Sequence, residues 1–183
     1  MKPGIFRQKS VFLEGTFHCG TMVEKTHFLS PFGCIEIQGS SLGISTVHLV
    51  DKKPCPAGPI PEVLRDCVVQ LNEYFRGERQ EFDLKLDFGA APAFHQAVWR
   101  ELLKVPYGHT TTYKAIAEKL GDPKAVRAVG QANRHNPIAI IVPCHRCIAR
   151  NGDLQGYFYG LDMKRQLLGL ENPQSYAQQG SLF

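Results

Sequence analysis

No stretch of this 183-residue sequence reaches the run of about 20 apolar residues that a bilayer-spanning helix needs. A membrane-spanning helix is thereby excluded, and the N-terminus carries no secretory signal pattern. Six cysteines in a chain this long are too few for a disulfide scaffold. Together these absences point to a reducing, cytoplasmic compartment, nucleoid-associated if the source is prokaryotic. There is no internal repeat, and neither sign of charge dominates: 21 Lys and Arg stand against 17 Asp and Glu. The net charge of +4 and a pI near 8.7 mildly favour an anionic partner. What remains, 43% hydrophobic and 21% charged, is an ordinary globular composition, enough for one large domain or two small ones.

Against that background one stretch stands out. Ile138-Ala139-Ile140-Ile141-Val142 is apolar and β-branched, and it ends abruptly in Pro143-Cys144-His145-Arg146. The run predicts a strand buried on both faces. Its end delivers a thiol, an imidazole and a guanidinium to one place. A cysteine attacks as thiolate, so its ordinary pKa of about 8.5 has to be brought down by a neighbouring base or cation. His145 and Arg146 are candidates for both roles. Two other readings compete. Cys144 could be a small buried hydrophobe. With Cys147 it also spells Cys-x-x-Cys, a redox or metal motif. A redox pair usually opens a helix, whereas Ile148-Ala149-Arg150-Asn151-Gly152 predicts strand and turn.

Taken in order, the chain begins with residues that have no clear assignment: Val11-Phe12-Leu13 and Thr16-Phe17 suit a short strand or an arm. His18, Cys19, His27 and Cys34 are not spaced as a zinc knuckle. Strands are predicted over 21–29, 34–38 and 44–50, joined by Ser30-Pro31-Phe32-Gly33 and a second glycine-bearing turn, which makes an antiparallel meander. A proline-rich loop leads to a helix over 61–75, with Leu64, Cys67, Val68, Leu71 and Phe75 at helical spacing and Gly77 beyond it. Phe82 to Leu86 alternates as a short strand. After a linker at 87–92, a helix from Ala93 carries Phe94, Val98, Leu102 and Val105. Thr112 then caps a helix bearing Tyr113, Ile116, Ala117 and Leu120, closed by Gly121.

Asp122 and Pro123 suit the N-cap and first position of the following helix. That helix divides by chemistry. Lys124, Arg127, Gln131 and Arg134 share one face, and Ala125, Val126, Val129 and Ala132 the other. Two helices joined by a tight turn, the second basic, read as a helix-turn-helix. A solvated charged face on a helical hairpin is the competing reading. Small residues beside the stripe, Ala128 and Gly130, favour DNA, because they let backbone approach phosphate. Asn136-Pro137 turns the chain. Asn151-Gly152 marks a hairpin. Gly156-Tyr157-Phe158-Tyr159-Gly160 is an aromatic loop suited to a flat ring or to anchoring a core. A last helix with Met163, Leu167, Leu168 and Leu170 ends at Glu171 before Pro173, and a polar tail follows.

Several of these segments together resemble the 6-O-alkylguanine-DNA alkyltransferases, or methylated-DNA–protein-cysteine methyltransferases. They are Phe94-His95-Gln96-Ala97-Val98-Trp99, Val105-Pro106-Tyr107-Gly108, Thr112-Tyr113, Lys124 to Gly130, Asn136-Pro137, Ile141 to Arg146, and Gly160-Leu161 with Lys164 and Leu167-Leu168. The resemblance implies an α/β, ribonuclease-H-like N-terminal domain over 1–91, of antiparallel strands plus a helix. It implies a mainly α, winged helix-turn-helix-like domain over 92–173, and 174–183 would be a mobile tail. It further implies DNA repair by direct reversal, in which an alkyl group leaves O6-alkylguanine, and O4-alkylthymine, for the protein's own cysteine. The expected partner is double-stranded DNA carrying alkylated guanine, met by a monomer without cofactor, in one turnover per molecule.

The same resemblance implies roles. Cys144 accepts the alkyl group. His145 is the base, acting through a water, with Glu171 orienting it. Asn136 braces the turn, and Tyr113 contacts the base and the rotating phosphate. Arg127 fills the gap left by the extruded nucleotide, with Arg134, Lys124, Gln131 and Thr112 on the DNA. Tyr157 stacks on the guanine, with Tyr159 and Ala139 narrowing the pocket toward methyl. Ser40 and Ser45 stand where some members carry zinc ligands, so no structural metal is expected. The competing functions are a damage sensor on the same scaffold, which would lack the acceptor cysteine, and a thiol-disulfide oxidoreductase using Cys144 and Cys147.

Overall fold

The structure, a computed structural model, describes residues 22–51 and 53–176. The readings for Val11 to Cys19 and for 177–183 lie outside those residues. Three antiparallel strands, β1 (Glu24–Ser30), β2 (Gly33–Ser40) and β3 (Gly43–Val50), form a meander in the order β1-β2-β3. Ser30 shapes the first turn: its Oγ accepts from Phe32 N and donates to Gly33 O. Ile35 and Ile37 on β2 point to one face and are fully buried, as the period of two requires. That face is covered by α1 (Glu62–Phe75), through Leu64, Cys67, Val68 and Leu71. Tyr74 is buried beside them, although the apolar spacing alone does not mark it.

The predicted strand over 82–86 does not form. Only Leu86 makes a bridge, to Ile44 on β3. The side chain of Gln70 on α1 donates to Asp83 O and accepts from Asp83 N, supplying the backbone partners that a neighbouring strand would otherwise give. The chain then crosses the start of β3 so closely that a Cβ at Gly43, whose φ is +137°, would lie 2.5 Å from Lys85 O. Only glycine fits there.

Cys34 and Cys55 are joined in a disulfide that pins the proline-rich loop to the start of β2. The cysteine count alone gives no hint of it, and a disulfide runs against the reading of a reducing compartment drawn from that count. Among the described residues Cys67, Cys144 and Cys147 are free and buried.

The second half is helical: α2 (Ala93–Leu103), a two-residue β4 (Thr111–Thr112), α3 (Tyr113–Lys119), α4 (Val126–Arg134), a two-residue β5 (Cys147–Ile148) parallel to β4, then α5 (Leu161–Glu171) and α6 (Pro173–Tyr176). The short α6 occupies the start of what the sequence reads as tail. Thr112 caps α3 by accepting from Ala115 N. Asp122 does not cap α4. Its carboxylate and carbonyl accept from Lys124 N and Ala125 N, an Asx turn that holds the chain out of the helix until Val126. Phe94, expected on the inner face of α2, is 36% exposed; Trp99 takes the interior instead and donates from Nε1 to Ala132 O on α4.

The buried residues of both halves form one contiguous cluster, from Ile37 and Val47 through Val98 and Ile116 to Ile138 and Leu167. Ile138 to Val142 is fully buried, as expected, but it is not a strand. It is a chain of tight turns: Ile141 N bonds to Ala139 O, Val142 N to Ile138 O and Cys144 N to Val142 O. Its strand-like contact outside the segment is to β3, where Val47 N bonds to Pro137 O and Ala139 N to Val47 O. Burial at every position is thus the enclosure of a self-bonded set of turns and not of a strand covered on both faces.

Candidate active site and nucleic-acid interface

The turns before Cys144 force Ile140 to a φ of +74°, a conformation that a β-branched residue rarely adopts. Such strain persists only where the surroundings over-determine it. Here the buried apolar side chains on both sides and the bonds to β3 do so. The result is that Cys144 opens a single 3-10 turn, Cys144–Arg146, at the floor of a cavity.

Asn136 holds this turn through both ends of its amide. Its Oδ1 accepts from Ile138 N at 3.0 Å, and its Nδ2 donates to Val142 O at 2.8 Å and to Cys144 Sγ at 3.0 Å. The thiol therefore rests against an amide donor. The expected neighbours are arranged otherwise. His145 and Arg146 both turn toward Glu171, so neither makes a hydrogen bond to the sulfur. Burial pushes the Cys144 thiol up, against the Asn136 bond and the nearby Lys164 charge. In this state the cysteine is a neutral thiol, a correction to the expectation that its neighbours lower it.

Behind the thiol lies a buried charged network. His145 Nε2 donates to Glu171 Oε1 at 2.8 Å, which leaves Nδ1 as the basic nitrogen; Nδ1 is buried without a protein partner. Arg146 grips the carboxylate with two bonds, Nε to Oε2 at 2.8 Å and Nη2 to Oε1 at 2.9 Å, and donates from Nη1 to Val105 O. The Tyr74 hydroxyl, from α1, donates to Oε1 at 2.7 Å, and Gly108 N reaches Oε2 at 3.3 Å. Burial raises the Glu171 carboxyl, but the bonds and charges of His145 and Arg146 outweigh it and hold the group at about 2. Burial lowers His145, with Glu171 opposing.

Both shifts have the same sign for stability. Unfolded Glu171 titrates near 4.5, so what its bonds contribute is full above that pH and is lost as the pH falls toward 2. Unfolded His145 takes up a proton near 6.5 that the buried ring refuses, which also costs stability on acidification. Urea midpoints measured across this range are expected to fall steadily from pH 6.5 downward. A flat profile below pH 4.5 would show that Glu171 is not held as described.

Lys164 is fully buried on α5 and ties two parts of the site together, donating to Cys147 O at 2.6 Å and Gln155 O at 2.8 Å. Tyr113 Oη donates to Gln155 O at 3.1 Å and Gly156 O at 3.3 Å. These bonds position the aromatic loop over the thiol. Burial raises the Tyr113 hydroxyl, which keeps it a proton donor at neutral pH.

The cavity above Cys144 encloses about 740 Å³. Tyr113, Gly156, Tyr157 and Phe158 form one wall, and the α4 residues Arg127, Gln131, Asn133 and Arg134 the other. The structure thus brings Cys144, Tyr113, Tyr157, Arg127, Gln131 and Arg134 around one opening, with His145, Glu171 and Asn136 behind it. Four predicted residues stand apart from the lining. Lys124 precedes α4, and Thr112 is engaged as a helix cap. Ala139 is buried, and Tyr159 packs toward His48 on β3, their ring centroids 6.3 Å apart. Sequence reasoning missed Tyr74 and Asn133; it placed the 65% exposed Phe158 in the aromatic loop and Lys164 in the family resemblance but gave neither a role of its own in the site. Asn133 lies next to the apolar residue Ala132 on the inner side of α4, a polar break in an otherwise apolar face that could have drawn attention to it. Among the described residues no group of three or more His, Cys, Asp or Glu side chains is placed to hold a metal ion.

Comparison with known proteins gives a consistent result. Residues 93–173 match the family described as the DNA-binding domain of 6-O-methylguanine DNA methyltransferase, and residues 23–88 match its ribonuclease-like domain. The chain is 44% identical over 160 residues to a methylated-DNA–protein-cysteine methyltransferase of Mycolicibacterium paratuberculosis, covering 85% of this chain and 96% of that protein. It is 47% identical over 152 residues to a protein of the same name from Methanosarcina acetivorans, covering 79% and 95%. Among solved structures, the Mycobacterium tuberculosis O6-methylguanine methyltransferase superposes with a TM-score of 0.74 at 42% identity, covering 87% of this chain and 98% of that one. A Mycobacterium tuberculosis OGT in complex with DNA superposes with a TM-score of 0.73 at 43% identity, covering 84% and 95%.

Proposed function

The chain belongs to the 6-O-methylguanine DNA methyltransferase family, and we propose that Cys144 is the residue on which its reaction ends. The activity is repair of DNA by direct reversal: an alkyl group leaves O6 of guanine for a cysteine of the protein. The observation that carries the assignment to Cys144 is its position, a buried thiol at the floor of an open cavity, with the His145–Glu171–Arg146 network behind it and the α4 side chains Arg127, Gln131 and Arg134 around the mouth.

The target oxygen of guanine lies within the duplex stack, so the nucleotide is turned out into the cavity, at a cost of a few kcal/mol that is smaller for a poorly pairing lesion. Arg127 at the cavity rim is suited to occupy the vacated space, as groove-inserted side chains do. Gln131 and Arg134 on the same helix, with Lys124 before it, meet the phosphates. Tyr157 stacks on the extruded base. His145 Nδ1 then takes the thiol proton through a water, and the sulfur attacks the alkyl carbon. The S–C bond forms as the C–O bond breaks, and the electron pair remains on the guanine, which takes up a proton through Tyr113; the phenol is reprotonated through solvent, balancing the proton that the thiol released. The thioether is stable, so each molecule turns over once. Because the DNA is its substrate, we place the protein in the cytoplasm with the chromosome.

The test is mass spectrometry of the protein after incubation with an oligonucleotide duplex containing one O6-methylguanine. The peptide holding Cys144 is expected to gain one CH2 unit stoichiometrically, with restored guanine in the DNA. No gain on that peptide, or a gain on another, would refute the assignment.

A further inference from the structure

The buried network behind the thiol is not built from the DNA-binding half alone. Tyr74 lies on α1, 97 residues before Glu171, yet its hydroxyl reaches Oε1 at 2.7 Å with no exposure to solvent. Oε1 thereby carries three donors: Tyr74 Oη, His145 Nε2 and Arg146 Nη2. We infer that Tyr74 is a positioning residue of the alkyl-transfer reaction, through which the N-terminal domain sets how strongly Glu171 holds the proton on His145. The inference rests on the proposed role of His145 as the base.

The physical argument is a competition for one oxygen. A hydroxyl that donates to a carboxylate draws on the same negative charge that stabilises a neighbouring imidazolium. While Tyr74 donates, His145 is a weaker base and stays neutral, ready to accept the thiol proton. Other charged or titratable groups near the pair pull in fixed directions. Arg146 and Lys164 disfavour a second positive charge on His145, while Tyr107 and Tyr157 remain neutral phenols near Glu171. Tyr107 is the useful contrast. It also packs on this network, edge-on to Tyr74, but its hydroxyl donates to the backbone oxygen of Leu170 and not to the carboxylate.

The ring of Tyr74 also packs against Phe75, Phe82 and Tyr107, so a structural role has to be separated from the positioning one. Tyr74→Phe keeps the ring and removes only the hydroxyl, leaving Oε1 with two donors. The experiment measures, from pH 5 to 9, both the rate of methyl transfer from the O6-methylguanine duplex and the rate of iodoacetamide capture at Cys144, for wild type, Tyr74→Phe and Tyr107→Phe. For Tyr74→Phe the acid limb of both profiles is expected to move up by about half a pH unit, a loss of about threefold on that limb, with rates near wild type at pH 8. Tyr107→Phe is expected to leave the limb in place. Superimposable limbs for wild type and Tyr74→Phe would overturn the inference. Iodoacetamide needs no DNA, so a wild type that fails to take methyl from the duplex would count against the proposed function while the capture profile still decides the role of Tyr74.

Discussion

Cys144→Ser is expected to end alkyl transfer, lowering the rate on the order of 10³-fold or more, while binding to the lesion-bearing duplex is kept. A serine hydroxyl is a far weaker nucleophile than a thiolate, and a base matched to a thiol proton leaves the much less acidic alcohol un-ionised. The side chain is nearly isosteric, and the Asn136 amide can donate to the hydroxyl as it does to the sulfur. The fold and the cavity should therefore survive, so the loss would report chemistry. Single-turnover transfer on the modified duplex, with gel-shift binding in parallel, separates the two. Cys147→Ser is the companion. Burial pushes the Cys147 thiol up to about 12, and unlike Cys144 it is not among the residues that line the cavity, so transfer should persist. Loss of transfer in both variants alike would favour a paired-thiol reaction instead.

That Cys144 is itself pushed up by burial has a functional reading. A thiol kept neutral against an amide donor is slow to oxidise, since the thiolate is the reactive species. It reacts once the flipped base delivers the alkyl carbon and His145 takes the proton. For a residue spent after one turnover, protection at rest is as useful as speed.

The second large effect is expected from Glu171→Gln. The substitution preserves shape but removes the charge that compensates Arg146. Breaking a buried ion pair from one side costs about 3–5 kcal/mol, because the remaining charge is left unpaired. The amide also cannot stabilise an imidazolium at His145 as a carboxylate does, and the loss of such support for a general base is worth about 10²-fold or more in rate. Thermal unfolding should show the first effect and single-turnover kinetics of the folded fraction the second. A variant as stable and as fast as wild type would show that the His145–Glu171–Arg146 contacts carry neither load.

The chemistry-bearing residues were legible in the sequence where neighbours along the chain define them. Pro143 to Arg146 set a thiol beside an imidazole whatever the fold. The basic stripe of α4, the Thr112 cap and the strands of the meander follow from local periodicity and capping, which depend on residues a few positions apart. What failed did so for want of long-range partners. Ile138 to Val142 has the composition of a strand, but its backbone closes on itself and on β3, and only that docking makes the left-handed Ile140 tolerable. Phe82 to Leu86 alternates like a strand, but Gln70 takes its backbone bonds. Arg146 looked like a partner for the sulfur because it is two residues away, yet charge complementarity sends it to Glu171.

By itself, then, the sequence determined which side chains are available, which helices and hairpins carry them, and that a sulfur stands next to a base at the end of a buried apolar run. The tertiary structure alone decided that Glu171 collects donors from Tyr74, His145, Arg146 and Gly108, that Lys164 joins the thiol turn to the aromatic loop, and that Tyr159 faces β3 and not the cavity. The reason is physical: helical and strand periodicity are written in neighbouring residues, whereas a buried charge is stable only where distant segments bring its partners to it.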